Sequence, residues 1–421
     1  MRKKIISVLL STAMTVTLLA GCGSSASKTS GTAVPSAASG DKEKVSLTVW
    51  GAEEDQSLLQ EMTDSFKKQY ADKADFDIQI GVQSGSTAKD TVLTDVTAAA
   101  DVYAFADDQI NDLVKAGALQ EITLDTDSIK SENIASSVDA ATVDGKLYAY
   151  PMTADNGYFM FYDSEYFTDD DIKTMDGMLA AAKKAGKKVT MQLDSGWYLA
   201  SFFMGAGLDL SLADDGVTNV CDWNSTDKKP TGADVADAIL DIAKNDSFVS
   251  LTDEEFVSGI KDGSVIAGVN GVWNATAAQD AWGDNYKACK LPTYTVNGEQ
   301  VQMGSFAGFK LLGVNPNSKN AGYAMLLAEW ITNEQNQTLR FKERAQGPSN
   351  INAAASSDVQ NSSAIAALGA QADFAKAQRV GGNFWDPATA FGTIMAQGNP
   401  DGTDVQTLLD TLVDGITAPV Q

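Results

Sequence analysis

One run near the front of the chain restricts the fold more than any other feature. Val45-Ser46-Leu47-Thr48-Val49-Trp50 alternates apolar and polar residues and stops at Gly51, the pattern of a half-buried strand. Leu59, Met62, Phe66 and Tyr70 then recur at steps of three and four, which predicts an amphipathic helix over 56–71 with Asp55 as its N-cap. Phe76, Ile78, Ile80 and Val82 alternate strictly and predict a second strand. A β-α-β opening commits the chain to a parallel sheet with a right-handed crossover. The same exchange of periods continues downstream. Helix is expected over 87–100, at 110–116 up to Gly117, over 174–185 up to Gly186, from Asp194-Ser195-Gly196 onward and, as one long element, over 321–344. Extended chain is expected at 101–105, 147–151, 158–162, 188–193, 265–269 and 308–314. The Ala-rich last quarter, from Ala364, reads as helical. The class is α/β.

Composition removes several chemistries. The chain has 421 residues, 44% of them hydrophobic, enough for two or three ordinary domains. Its formal charge of −25 opposes phosphate backbones and anionic lipid, so nucleic acid is a poor partner. There is no histidine, which removes Ser-His-Asp and Cys-His catalysis and HExxH metal sites. Cys221 and Cys289 are as compatible with a disulfide as with two part-buried thiols, and no CxxC supports a zinc or redox site. The acidic runs Asp169-Asp170-Asp171 and Asp214-Asp215 lack calcium-loop spacing and read as solvated loop acids. No metal or cofactor is implied.

The N-terminus reads as an export signal. Arg2, Lys3 and Lys4 precede an apolar run, Ile5–Ala20, too short and too rich in Ser and Thr for a membrane span. Leu19-Ala20-Gly21-Cys22 resembles the lipobox of bacterial lipoproteins, which implies cleavage after residue 21 and a diacylglycerol on Cys22. Residues 23–44, rich in Ser, Gly, Ala and Thr, read as a flexible tether. The expected location is the outer face of the cell membrane of a Gram-positive host, with the lipid as the anchor.

The body carries ordered anchors: Leu47-Thr48-Val49-Trp50; Asp101 to Asp108 followed by Ala116-Gly117-Ala118-Leu119-Gln120-Glu121-Ile122-Thr123; Asp144-Gly145-Lys146-Leu147-Tyr148-Ala149-Tyr150-Pro151; Asn270-Gly271-Val272-Trp273; Leu291-Pro292-Thr293; and Gly347-Pro348. In this order they resemble the sugar-binding solute-binding proteins of bacterial ABC importers, and within them the maltose and maltodextrin binders. The resemblance implies a two-lobed periplasmic-binding-protein-like fold of the class II type, with a ligand cleft and a hinge between lobes. It divides the chain into a signal (1–21), lipidated Cys22 and linker (22–44), an N-terminal lobe (45–153 plus 305–347) and a C-terminal lobe (154–304 plus 348–421). It implies a monomeric receptor for α-glucan oligosaccharides, with ABC permease subunits as separate partner chains.

Sugar rings present flat C–H faces and many hydroxyls, so their recognition needs aromatic shelves and polar partners together. The resemblance carries the shelves onto Trp273, Trp385, Trp197 with Tyr198 beside it, and Phe105. It carries the polar positions onto Glu53 or Glu54, Asp108, Asp155 and Asp194. Gln109 and Thr389 stand where maltose binders carry arginines, which leaves room for a longer or differently linked glucan. Trp50, Trp223, Trp282 and Trp330 have no such context and read as core or surface. A different class stays open beside the binder, a glycoside hydrolase using Asp155 and Asp194, because that chemistry needs two carboxylates and no histidine.

Overall fold

The computed structural model describes residues 42–419. The signal peptide and Cys22 lie outside the described residues, as does all of the tether but its last three residues. Ten strands build the two main sheets, in chain order β1 (Lys44–Gly51), β2 (Asp75–Val82), β3 (Val102–Ala106), β4 (Ala149–Thr153), β5 (Tyr158–Asp163), β6 (Lys188–Thr190), β7 (Phe248–Val249), β8 (Val265–Gly271), β9 (Tyr286–Cys289) and β10 (Lys310–Val314). The first sheet has the order β2-β1-β3-β10-β4. Its β1, β2 and β3 are parallel, and β10 runs antiparallel to both neighbours. The second has the order β7-β6-β8-β5-β9, with β5 antiparallel to β8 and β9. Each sheet has its own core, so the protein is a two-lobed α/β molecule.

The opening pattern folds as its periods require. Val45, Leu47 and Val49 of β1 pack with Leu59, Met62 and Phe66 of the helix Gln56–Gln69, and β2 pairs with β1 in register from Val45↔Phe76. In the second lobe β5 is covered on both faces. Tyr158 and Met160 enter one core with Leu199, Phe202 and Ile239, while Phe159 and Phe161 enter another with Phe256 and Trp282. Successive strand side chains point to opposite faces, so a doubly covered strand must be apolar throughout. Each fully buried Phe contributes roughly 1.5–3 kcal/mol by area.

The chain passes between the sheets three times. It leaves the first between Thr153 and Tyr158, and returns between β9 and β10 through the short strand Ser305–Ala307. It leaves again after the helix Glu334–Arg344, where Pro348 bridges to Thr153.

Four local expectations are corrected. Helix over 87–100 shrinks to Ala88–Thr94, because the Asp95 carboxylate accepts from the Thr97 and Ala98 amides and closes a turn instead. The single helix over 321–344 is two, Ala321–Thr332 and Glu334–Arg344. Asn333 is extended between them and its side chain caps the second at the Asn336 amide. The last quarter is not wholly helical, since Ala375–Ala377 is a strand paired in parallel with Ser305–Ala307. Asp55 precedes its helix as expected but makes no side-chain cap; an arginine takes its carboxylate.

Trp223 is fully buried and stacked on Phe203 at 4.4 Å, and Trp330 packs edge-on against Phe66 and Tyr70. Cys221 and Cys289 are free thiols, and burial pushes both up to about 12. At pH 8 a disulfide-exchange reagent should therefore modify them at least about a hundredfold more slowly in the folded than in the denatured chain. The measurement uses the chain from residue 23 onward, where Cys22 adds no signal. Native rates within about tenfold of the denatured rates contradict the burial.

Candidate ligand-binding site

In open α/β sheets, ligands are expected beyond the carboxyl ends of the strands. Five such ends deliver the candidate residues. β1 runs into the turn Glu53–Asp55, and β3 into the turn Asp107–Gln109. β6 leads to Asp194 and the helix Gly196–Gly205, which begins with Trp197 and Tyr198. β7 leads to Asp253, first residue of the helix Asp253–Lys261, and β8 into the turn Val272–Asn274, which carries Trp273.

Two contacts show that the ends of the two sheets face one another. Arg344 Nε lies 3.3 Å from Asp55 Oδ1, and its Nη2 donates to the Trp273 carbonyl at 3.3 Å. Lys310 Nζ, at the start of β10, sits 5.3 Å from the centre of the Trp273 ring. A third contact joins the segment after Ala377 to the turn that follows β3. Arg379 Nη1 donates to Asp107 Oδ2 at 2.9 Å, while Asp107 Oδ1 accepts from the Phe309 amide.

The aromatic positions divide into three. Trp197 and Trp273 are half-buried and adjacent, with ring centres 5.7 Å apart and planes tilted by 40°. Trp197 Nε1 donates to Gln378 Oε1 at 2.7 Å, and its carbonyl accepts from the Tyr158 hydroxyl at 2.8 Å. Trp385 is half-buried at the start of the helix Trp385–Ala396, and its ring packs edge-on against Phe384 at 5.0 Å. This helix reaches the Trp197 helix because residue 196 is glycine: a Cβ there would stand 2.6 Å from the Ala388 Cβ. Tyr198 and Phe105 differ from expectation. Tyr198 is 3% exposed, wedged beside Tyr158, and Phe105 is 0% exposed under Gly313 and Leu119. On β3 the ring of Phe105 shares the side of Tyr103, the inner side of the lobe, so both are core residues here.

The acids divide likewise. Glu53 and Glu54 are exposed at the β1 end. Asp108 is part-exposed, yet its Oδ1 is buried without a partner; burial, with Asp107 beside it, pushes the carboxyl up to about 7 against the Gln378 amide. Asp194 also holds a buried, unpartnered Oδ1. Asp155 differs: it is 2% exposed and its carboxylate accepts the Gly347 amide, so it pins the Thr153–Pro348 crossing. A pair of catalytic carboxylates needs open faces toward the scissile bond, and Asp155 presents none. Gln109 holds the loop ahead of the helix Ala88–Thr94, donating to the Gly85 and Ser86 carbonyls and accepting from the Lys89 amide. Thr389 is exposed on its helix.

Sequence reasoning missed Asp253, Lys310, Arg344, Gln378 and Arg379. Each acts on a residue far away in the chain, and no local periodicity marks such a pairing. Asp253 carried only the signal of a helix start, in Thr252-Asp253-Glu254-Glu255.

Comparison with known proteins bears on the family and the fold. A galactooligosaccharide-binding protein of Bacillus subtilis (strain 168) is 27% identical, over 78% of this chain and 79% of its own. A maltooligosaccharide ABC transporter solute-binding lipoprotein of Streptococcus pneumoniae serotype 4 is 25% identical, over 82% and 80%. A chain solved with acarbose is 32% identical, covers 89% of this chain and 99% of its own, and superposes with a TM-score of 0.79. The family model for bacterial extracellular solute-binding proteins matches residues 61–367, and the chain belongs to that family.

Proposed function

We propose that the protein is the receptor of an ABC importer, captures α-glucan (malto-) oligosaccharides in the cleft between its lobes, and is held at the outer face of the cell membrane by a lipid on Cys22. The carrying observation is the Trp197–Trp273 pair, 5.7 Å apart and half-exposed where the strand ends of the two sheets meet. Two tilted indoles offer apolar faces to successive sugar rings. Asp108, Asp194, Glu53 and Glu54 supply acceptors for hydroxyls, and Trp385 extends the shelf. Asp108 and Asp194 are part-exposed, and closure that takes them out of water makes a partner necessary, an unmade hydrogen bond costing about 1–3 kcal/mol. Sugar hydroxyls are such partners. Lobes of 45–153 plus 305–347 and 154–304 plus 348–421 would close on the ligand about the crossings near 153, 304 and 347. No helix among the described residues is long and apolar enough to cross a membrane, in keeping with an anchor at Cys22.

A second reading, a galacto-oligosaccharide receptor, is favoured by the Bacillus subtilis relative. Titration calorimetry across malto-, isomalto-, galacto-, xylo- and fructo-oligosaccharides separates the two. The malto series is expected to bind most tightly, and a preference for the galacto series replaces the first reading by the second. Among the described residues no three His, Cys, Asp or Glu side chains cluster as metal ligands. Affinity should therefore change by less than about tenfold, roughly 1.4 kcal/mol, when a chelator is added. New reducing ends on incubation with glucan would instead identify a hydrolase.

A further inference from the structure

We propose that Asp253 and Gly271 are positioning residues, which together fix the plane of the Trp273 indole against which a sugar ring stacks; the inference rests on the oligosaccharide reading above. Trp273 sits on a three-residue turn, Val272–Asn274, and a side chain there is held only by what it touches. Two contacts grip the ring at opposite edges. At the nitrogen edge, Nε1–H donates to Asp253 Oδ2 at 2.9 Å. At the benzene edge, the ring lies directly on residue 271: a Cβ there would stand 2.0 Å from Cη2 and Cζ3 of Trp273. No side chain larger than hydrogen is compatible with that approach, so the glycine is a seat for the indole.

The Asp253 carboxylate is itself fixed from several sides. Its Oδ1 accepts from Asn270 Nδ2 at 2.9 Å and from the Tyr198 hydroxyl at 3.4 Å. Asn270 Oδ1 in turn accepts from the Gly271 amide at 2.8 Å and from Asn274 Nδ2 at 3.0 Å, which ties down both ends of the Trp273 turn. Asp253 opens the helix Asp253–Lys261, where the free amides of the first turn favour a negative charge. Every donor around this carboxylate therefore points inward, and Trp273 is the one of them whose ring faces the cleft beneath Lys310. A ring already ordered in the free protein spares a binding sugar the cost of ordering it.

The test is a double-mutant cycle on sugar affinity, read by calorimetry with maltotriose and with a galacto-oligosaccharide. Asp253→Asn keeps the shape but turns one acceptor into a donor facing other donors. It should weaken binding of whichever sugar the wild type takes by about tenfold, and by less than about twofold in a Trp273→Phe background, which has no Nε1–H to lose. Gly271→Ala, which pushes on the ring from the other edge, should also weaken binding by about tenfold or more and change the near-ultraviolet circular dichroism of the tryptophans. Equal losses from Asp253→Asn with and without the indole N–H overturn the inference, because Asp253 would then act elsewhere. Should Asp253→Asn not fold, Trp273→Phe alone decides: it removes the anchored N–H and keeps a ring, and binding equal to wild type overturns the positioning role. A wild type that binds neither sugar, or a Trp273→Ala variant that binds normally, overturns the functional reading itself.

Discussion

Trp273→Ala and Trp385→Ala are each expected to weaken oligosaccharide binding by more than about thirtyfold, roughly 2 kcal/mol. The magnitude follows from what a stacking ring contributes: burial of its own face and of the sugar's, together with dispersion, about 2–4 kcal/mol for a central aromatic anchor. Trp273 has the stronger claim to such a position, since Trp197 stands 5.7 Å away and Lys310 lies over the ring. Trp385 is half-buried on Phe384 at a neighbouring helix start. Trp330→Ala is the control. Its Nε1 donates to the Met62 carbonyl at 3.0 Å, and its ring joins Phe66 and Tyr70 between two helices of the first lobe. Because Trp330 is half-buried, losing it should cost less than a fully buried Trp would, about 1–3 kcal/mol of stability, while leaving affinity within about twofold. Calorimetry and thermal melts on the same samples separate the two kinds of loss. A Trp273 variant that melts earlier yet binds sugar normally would make the ring a core residue and move the site to other aromatics.

The contrast between Trp273 and Phe105 shows where sequence stops informing. Both were carried to the site by resemblance, and both follow or end a buried strand. Phe105 is still inside β3, where alternation sends it to the core side with Tyr103. Trp273 lies beyond the end of β8, where the chain has left the ladder and the side chain stands half-exposed beside Lys310 of the other sheet. Both strands were readable as short apolar runs, but the residue at which each ends was not. The β-α-β opening was legible because its periods are strong and its partners are close in sequence. The division of 321–344 was not, because an Asn in a helical stripe is neutral until its backbone turns out and its side chain finds the next amide. The charged contacts gathered around Asp55 were the least visible. Asp55 and Arg340 are far apart in sequence, and Asp55 read locally as a helix cap.

That pair carries the second large effect. Arg340 is 2% exposed, and its Nη1 lies 2.6 Å from Asp55 Oδ2, with Gln346 Oε1 as a further acceptor at 3.0 Å. Asp55→Asn leaves a buried guanidinium without its counter-charge, a change that costs about 3–5 kcal/mol. At roughly 2–4 °C per kcal/mol for a lobe of this size, the melting temperature should fall by about 10 °C. Replacing both partners with apolar residues, Asp55→Leu with Arg340→Met, should recover much of the loss, because the charge left without a partner is then the part-exposed Arg344 and not a fully buried guanidinium. The acid limb carries the same information. Burial alone would raise the Asp55 carboxyl, but Arg340, Lys310 and Arg344 together outweigh it and hold the group below the usual carboxylate range. A carboxyl depressed in the folded state contributes stability that is fully present above its unfolded value, near 4, and is lost as pH falls through its folded value. Wild type should therefore lose more stability than Asp55→Asn as pH falls below about 4. Because Arg344 bonds both Asp55 and the Trp273 carbonyl, Asp55→Asn should also reduce sugar affinity where Trp330→Ala does not. An Asp55→Asn variant melting within about 2 °C of wild type would mean that Arg340 finds another partner or reaches water, and the pair would then be neither a prop of the first lobe nor a link to the site.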